Sequence, residues 1–155
     1  MNKFSKIIIS LFGIGFSQWI PGTIGSFISI SFYYLILEYI SFIIIILIFL
    51  TIFLISIKLI DIYSNFVNKH DTSEIVIDEF LGITFILIFY EFFKFTNDLF
   101  MFFLIFLLFR FFDIIKFFPA NWIDKNFRNS IGVILDDIVA GSYCVIILYI
   151  FNAFL

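Results

Sequence analysis

Long apolar runs separated by short polar clusters make up most of the chain. Residues 4 to 16 form an apolar N-terminal segment, followed by the polar, glycine-containing stretch 17 to 26. Apolar runs at about 26 to 40 and 41 to 60 read as a tight helical hairpin turning near 38 to 41. A polar connection covers 61 to 74, where Asp71-Thr72-Ser73-Glu74 has the pattern of a helix start, an Asp cap with Glu three residues on. Further helices are predicted at about 74 to 93, 98 to 116 and 134 to 154, with 117 to 133 as the longest polar loop. The continuous runs meet or approach the roughly 20 residues a spanning helix needs. The expected fold is therefore an all-α integral membrane bundle of four to five spanning helices. Residues 4 to 16 are short for a span, and the sequence leaves crossing, interfacial and re-entrant placements open.

Composition strengthens this reading. The 155 residues are 63% hydrophobic and include 27 Phe, with a mean hydropathy of +1.18, far from a soluble globular composition. No linker or internal repeat divides the chain, so 1–155 is expected to be one domain. The single cysteine, Cys144, excludes an internal disulfide and a cysteine-based zinc site; inside an apolar run it reads as a small packing residue. Abundant Ile, Phe, Asn and Lys suggest AT-rich coding, as in a reduced bacterial genome. The start imitates a signal peptide, but no small-x-small cleavage site follows, and the segment is expected to be retained. The net charge of −3 says little about partners, because most of the acids are clustered; nucleic acid is not expected.

The clusters carry the chemistry. Asp78-Glu79 and Asp136-Asp137 each stand at the head of a long apolar run, and Arg110, Asp113 and Lys116 close another. Charges at a membrane boundary are expensive and mark function. If the hairpin starts on the cytoplasmic side, then Lys58, Lys69, Arg110, Lys116, Lys125 and Arg128 share that side and only Lys94 falls opposite, as the excess of Lys and Arg in cytoplasmic loops requires. The same topology brings the polar stretch 17 to 26 and all three charged clusters to one face. Trp19 and Trp122 are read as interfacial anchors, and His70 as a solvated loop residue.

Each doublet is followed by a glycine, Gly82 four residues after Asp78 and Gly141 four after Asp137. Small residues let membrane helices approach closely, which would bring carboxylates from two helices within reach of one cation. Hard oxygen donors without cysteine point to magnesium or manganese. The competing view is that acids near helix N-termini merely complement the macrodipole. Arg110, Asp113 and Lys116, spaced i, i+3, i+6, suit a phosphate held beside a metal ligand; the alternative is an internal salt-bridge ladder with a snorkelling Lys. Gly22, Thr23, Gly25 and Ser26 have the chemistry of an anion nest at a helix start, and equally of an ordinary turn.

Four ordered motifs resemble the phosphatidylglycerophosphatase A family: Gly-Ile-Gly-Phe-Ser-Gln-Trp-Ile-Pro-Gly-Thr-Ile-Gly-Ser (13–26), Ile-Val-Ile-Asp-Glu-Phe-Leu-Gly (75–82), Phe-Arg-Phe-Phe-Asp-Ile-Ile-Lys (109–116) and Gly-Val-Ile-Leu-Asp-Asp-Ile-Val-Ala-Gly (132–141). The resemblance covers about 13 to 141. It implies a multi-pass, magnesium-dependent phosphatase of the bacterial inner membrane, its site facing the cytoplasm, that converts phosphatidylglycerophosphate to phosphatidylglycerol. It further implies that Asp78, Glu79, Asp136 and Asp137 hold Mg²⁺, with Asp113 as a further ligand, nucleophile or general base. Arg110 and Lys116 would bind phosphate oxygens with help from Thr23, Gly25 and Ser26. Two departures touch loop shape: Phe117-Phe118-Pro119 stands where the family usually continues Lys-Pro-Trp-Pro, and Asn129-Ser130 where it often has a Gly pair.

An ion-coupled membrane transporter would also place carboxylates and an Arg inside a small bundle. Against it stand the clustering of the acids at one face, not at the midplane, and the lack of an inverted repeat.

Overall fold

The computed structural model describes residues 3–69, 72–95 and 98–153, the side chains from residue 5 onward. His70 and Asp71, and with Asp71 the expected helix cap, lie outside the described residues. The described residues form helices joined by turns, without strands. A short α1 (Lys3–Ile9) leads through a 3-10 turn at Ile14–Phe16 to α2 (Pro21–Ile36). A second 3-10 turn, Leu37–Tyr39, connects to α3 (Phe42–Val67). Then follow α4 (Ile77–Phe92), α5 (Leu99–Ile115), the short α6 (Ala120–Asn126) and α7 (Ser130–Ala153).

Several boundaries differ from those expected, each for a local reason. α2 begins at Pro21, because proline at the first helical position has its φ already set and no N–H to satisfy; most of the expected nest is therefore helix. α3 runs seven residues beyond 60, because Ile60 and Tyr63 are buried in the core and hold the extra turns. It ends at Asn68, which takes the left-handed conformation common after helices (φ 57). α4 starts at Ile77 and not at 74, since the Val76 N–H is bonded to the Ile9 carbonyl (2.9 Å). The expected 117 to 133 loop contains α6, and α7 starts at Ser130, so Asp136-Asp137 falls in its second turn and does not open it.

α4 is the centre of the bundle. It packs against α7, α3 and α2, while α5 and α6 pack on α7. The expected tight hairpin of α2 on α3 is not formed: α2 packs on α4 and α5, α3 packs on α4 and α7, and an apolar groove of about 470 Å³ runs between α2 and α3 over Ile77 and Phe80. The α4–α7 crossing is made by the two glycines. A Cβ on Gly82 would lie 2.6 Å from the Phe109 ring and 3.1 Å from the Asp137 carbonyl oxygen, and one on Gly141 would lie 3.1 Å from the Gly82 carbonyl oxygen. The core around them is Ile83, Ile86, Leu87, Phe102, Ile105 and Phe109, with Cys144 buried among them. A polar pair buried in the same region is satisfied internally, the Tyr33 and Thr84 hydroxyls lying 2.9 Å apart.

The outer surface is apolar. Ile43, Leu47, Leu50 and Leu54 of α3 and Ile146 and Ile150 of α7 are exposed, as expected for helices solvated by lipid. α3 and α7, at 26 and 24 residues, are long and apolar enough to cross a membrane. α1, seven residues and about 10 Å long, is not.

Filling the crossing tests this architecture. Gly82→Val should destabilise the bundle by about 1–3 kcal/mol, the usual cost of overpacking, read as a lower thermal midpoint in detergent. An unchanged midpoint would contradict the close approach.

Candidate active site

At one end of the bundle the N-termini of α2, α4 and α7 meet the C-terminus of α5 around a polar cavity of about 210 Å³. Both acidic doublets reach it. Asp78 and Glu79 come from the first turn of α4, and Asp136 and Asp137 from the second turn of α7. Arg110 and Asp113 line it from the last turns of α5, with Lys116 just beyond. Asp78, Asp136 and Asp137 are buried, at 4–8% exposure, and the Glu79 side chain is 12% exposed.

Within this ring the four carboxylates of the doublets divide into two settings. One oxygen each from Asp78, Glu79 and Asp137 lies within 4.8 Å of the other two, a grouping able to hold a metal ion. Asp136, its side chain turned about 100° from Asp137 around the helix, instead accepts a 2.6 Å hydrogen bond from Lys116 Nζ. Adjacent positions thus perform different tasks.

The cations are shared out in the same way. Arg110 Nη1 donates to Asp113 Oδ2 and approaches Glu79 Oε1 at 3.7 Å. Lys116 does not continue this face into a ladder. It is the C-cap of α5 in the left-handed conformation (φ 48), which swings its side chain to Asp136 and to Asp124 Oδ1 at 2.8 Å. Burial acts to lower its pKa, but the Asp136 and Asp124 carboxylates outweigh this and hold it well above the ordinary lysine value. It therefore stays cationic at all physiological pH values.

Among the described residues five carboxylates and two cations line the cavity, so with the acids ionised it is short of positive charge. Of the described residues lining the cavity, three carry a buried polar atom without a hydrogen-bond partner: Thr72 Oγ1 and, from charged groups, Glu79 Oε2 and Arg110 Nε. An orphaned buried polar atom costs about 1–3 kcal/mol, more when charged. A cation beside the Glu79 oxygen and an anion beside the Arg110 nitrogen would remove both costs, and hard carboxylate donors fit a divalent ion such as Mg²⁺.

The expected anion nest is only partly at the cavity. Pro21 and Gly22 line it, whereas Thr23, Gly25 and Ser26 do not. Ser26 Oγ donates to the Gly22 carbonyl (2.7 Å), and Gly25 makes room for Val76, whose Cγ1 is 2.0 Å from where a Cβ would sit. Thr23 is half-buried in the first turn of α2, its N–H bonded to the Ile20 carbonyl. Gly22 has its spatial requirement at the cavity itself, since a Cβ there would be 2.1 Å from Glu79 Oε1. Asp124, Thr72 and Ser73 were not anticipated. Thr72 and Ser73 line the cavity from the turn before α4. Asp124 is eight residues from Lys116, a spacing that carries no helical signal and works only through the intervening left-handed turn.

The profile of a family described as Phosphatidylglycerophosphatase A matches residues 7–152. A protein named Phosphatidylglycerophosphatase A from Escherichia coli (strain K12) is 34% identical over 138 residues, 89% of this chain and 77% of that protein. Another of the same name from Haemophilus influenzae is 38% identical over 80 residues, 52% of this chain and 47% of that protein. No solved structure matches the chain. Nothing in these comparisons supports a transporter.

The Lys116–Asp136 pair should be measurable in a double-mutant cycle. Lys116→Met and Asp136→Asn are expected to show a coupling of about 1–3 kcal/mol in denaturant unfolding. Strict additivity would mean that the two side chains do not pair.

Proposed function

The chain belongs to the phosphatidylglycerophosphatase A family and is a phosphoric monoester hydrolase, and from that premise we propose that it hydrolyses the terminal phosphate of phosphatidylglycerophosphate with Mg²⁺ bound by Asp78, Glu79 and Asp137. The observation that carries this reading is the gathering of those three carboxylates within 4.8 Å of one another, beside an arginine with an unpartnered Nε.

A bound Mg²⁺ would neutralise charge on the phosphoryl oxygens and lower the pKa of a bound water. The protein groups do the remainder. Arg110 holds the phosphate by its guanidinium fork, and Lys116 adds a point charge while orienting Asp136. Asp113, fixed by Arg110, accepts the proton of the attacking water. Water adds its oxygen to phosphorus, the bond from phosphorus to the glycerol oxygen breaks, and that oxygen takes up a proton, giving phosphatidylglycerol and inorganic phosphate. Positioning and charge stabilisation dominate such transfers.

The membrane reading follows from where the helix ends meet. The N-termini of α2, α4 and α7 and the C-termini of α3 and α5 border adjoining cavities, which favours five helices crossing in alternating directions. Lys69, Arg110, Lys116, Lys125 and Arg128 lie toward this end and Lys94 follows α4 at the other, so the site would face the cytoplasm of a bacterial inner membrane.

Purified protein should release phosphate from phosphatidylglycerophosphate micelles with Mg²⁺ and lose that activity on chelation. Asp137→Asn is expected to lower turnover by roughly 100-fold or more, the several kcal/mol of charge stabilisation supplied by a bound cation, while the protein remains membrane-inserted. Undiminished turnover after chelation, or in Asp137→Asn, would remove the metal site from the mechanism. Asp136→Asn is also expected to abolish turnover, by releasing Lys116.

A further inference from the structure

A second cavity, about 360 Å³, adjoins the first. Val133 borders both, and Asp124, in the wall of the second, is bonded to Lys116 in the first. Its character is opposite. Lys69 and Arg128 line it, both exposed, and among the described residues no ion pair joins either to a carboxylate. The acid in its wall, Asp124, is already committed to Lys116.

The local fold sets both cations in place. Asn68 ends α3 in the left-handed conformation, and the Lys69 N–H returns to the Ser64 carbonyl (3.2 Å), so the lysine sits on a closed helix end. Arg128 lies in a tight turn between α6 and α7. Asn129 Oδ1 accepts from the Gly132 N–H (2.8 Å), and a Cβ at Gly132 would meet the Phe127 carbonyl oxygen at 1.8 Å. Only glycine allows that turn to pack so closely on α7.

A guanidinium and an ammonium beside a phosphomonoester site are suited to a second phosphate. Phosphatidylglycerophosphate carries one: a phosphodiester joined to the terminal phosphate through a three-carbon glycerol. Resting on the functional reading above, we propose that Lys69 and Arg128 form a subsite for the internal phosphodiester of the lipid substrate, and so select it over lipids bearing a lone phosphomonoester. The same chemistry could be supplied by the phosphodiester of a neighbouring bilayer lipid, and the test separates the two sources.

The experiment compares wild type with Lys69→Ala/Arg128→Ala in uncharged detergent micelles. Phosphatidylglycerophosphate is the substrate, with two competitors: phosphatidylglycerol, which has only the diester, and phosphatidic acid, which has only the monoester. In the double variant KM should rise about tenfold or more, the size expected for losing hydrogen bonds to a charged group, with kcat changed far less. The inhibition constant of phosphatidylglycerol should rise about tenfold relative to that of phosphatidic acid. Charge-conserving Lys69→Arg/Arg128→Lys should restore most of the affinity, which a merely structural role would not predict. An unchanged KM, or equal weakening of both competitors, would overturn the subsite while leaving the phosphatase reading intact. Activation of the wild type by phosphatidylglycerol, in place of competition, would overturn it in favour of a bilayer lipid. A folded wild type that releases no phosphate from phosphatidylglycerophosphate would remove the functional reading and the subsite together.

Discussion

The close crossing of α4 and α7 at Gly82 and Gly141 is the constraint on which the remainder of the molecule depends. It lets the backbone of one helix touch that of the other, so that carboxylates from the first turn of α4 and the second turn of α7 project into the same small volume. Four carboxylates in one buried place repel each other, and each has been taken out of water. The chain bears this because it also delivers Arg110 and Lys116 from α5 to the same level, and because the crossing is locked from below by the packed aromatic and aliphatic core around Phe109. Stability and chemistry therefore oppose each other here. The apolar part of the bundle holds together a polar end that would not assemble alone.

Much of this was legible in the sequence. The helices of the apolar runs, the glycines one turn past each doublet and the convergence of the charged clusters on one end all follow from composition and spacing. What spacing could not reveal were relations that depend on leaving the helix. Lys116 lies at the right interval to continue the face of Arg110 and Asp113, but its left-handed backbone sends it to Asp136 and Asp124. Gly25 and Ser26 look like part of an anion nest, yet Pro21 starts the helix early and turns them into packing and backbone-bonding residues. The hairpin of α2 and α3 was inferred from a short connection, and a short connection does not exclude a third helix inserting between the two. A doublet of identical acids gives no hint that its members will be employed differently; that required the position of a lysine twenty residues away.

The arrangement of charge also gives the polar end a direction. Carboxylates gather at the centre, where α4 and α7 cross, and the cations Lys69 and Arg128 stand farther out on the turn after α3 and the turn before α7. A polyanionic headgroup would be drawn by the outer cations and repelled by the inner acids unless a metal ion lay among them. Cation and anion binding would in that sense be cooperative by electrostatics alone.

Lys116 adds a coupling of another kind. A residue with a side chain in the left-handed conformation is strained by about 1–2 kcal/mol, and here the backbone twist is what allows the ammonium to bridge Asp136 on α7 and Asp124 on α6. The ion pairs and the twist sustain each other. The same ammonium thus ties the end of α5 to both α6 and α7, so that one side chain fixes the bend and the place of the short helix together.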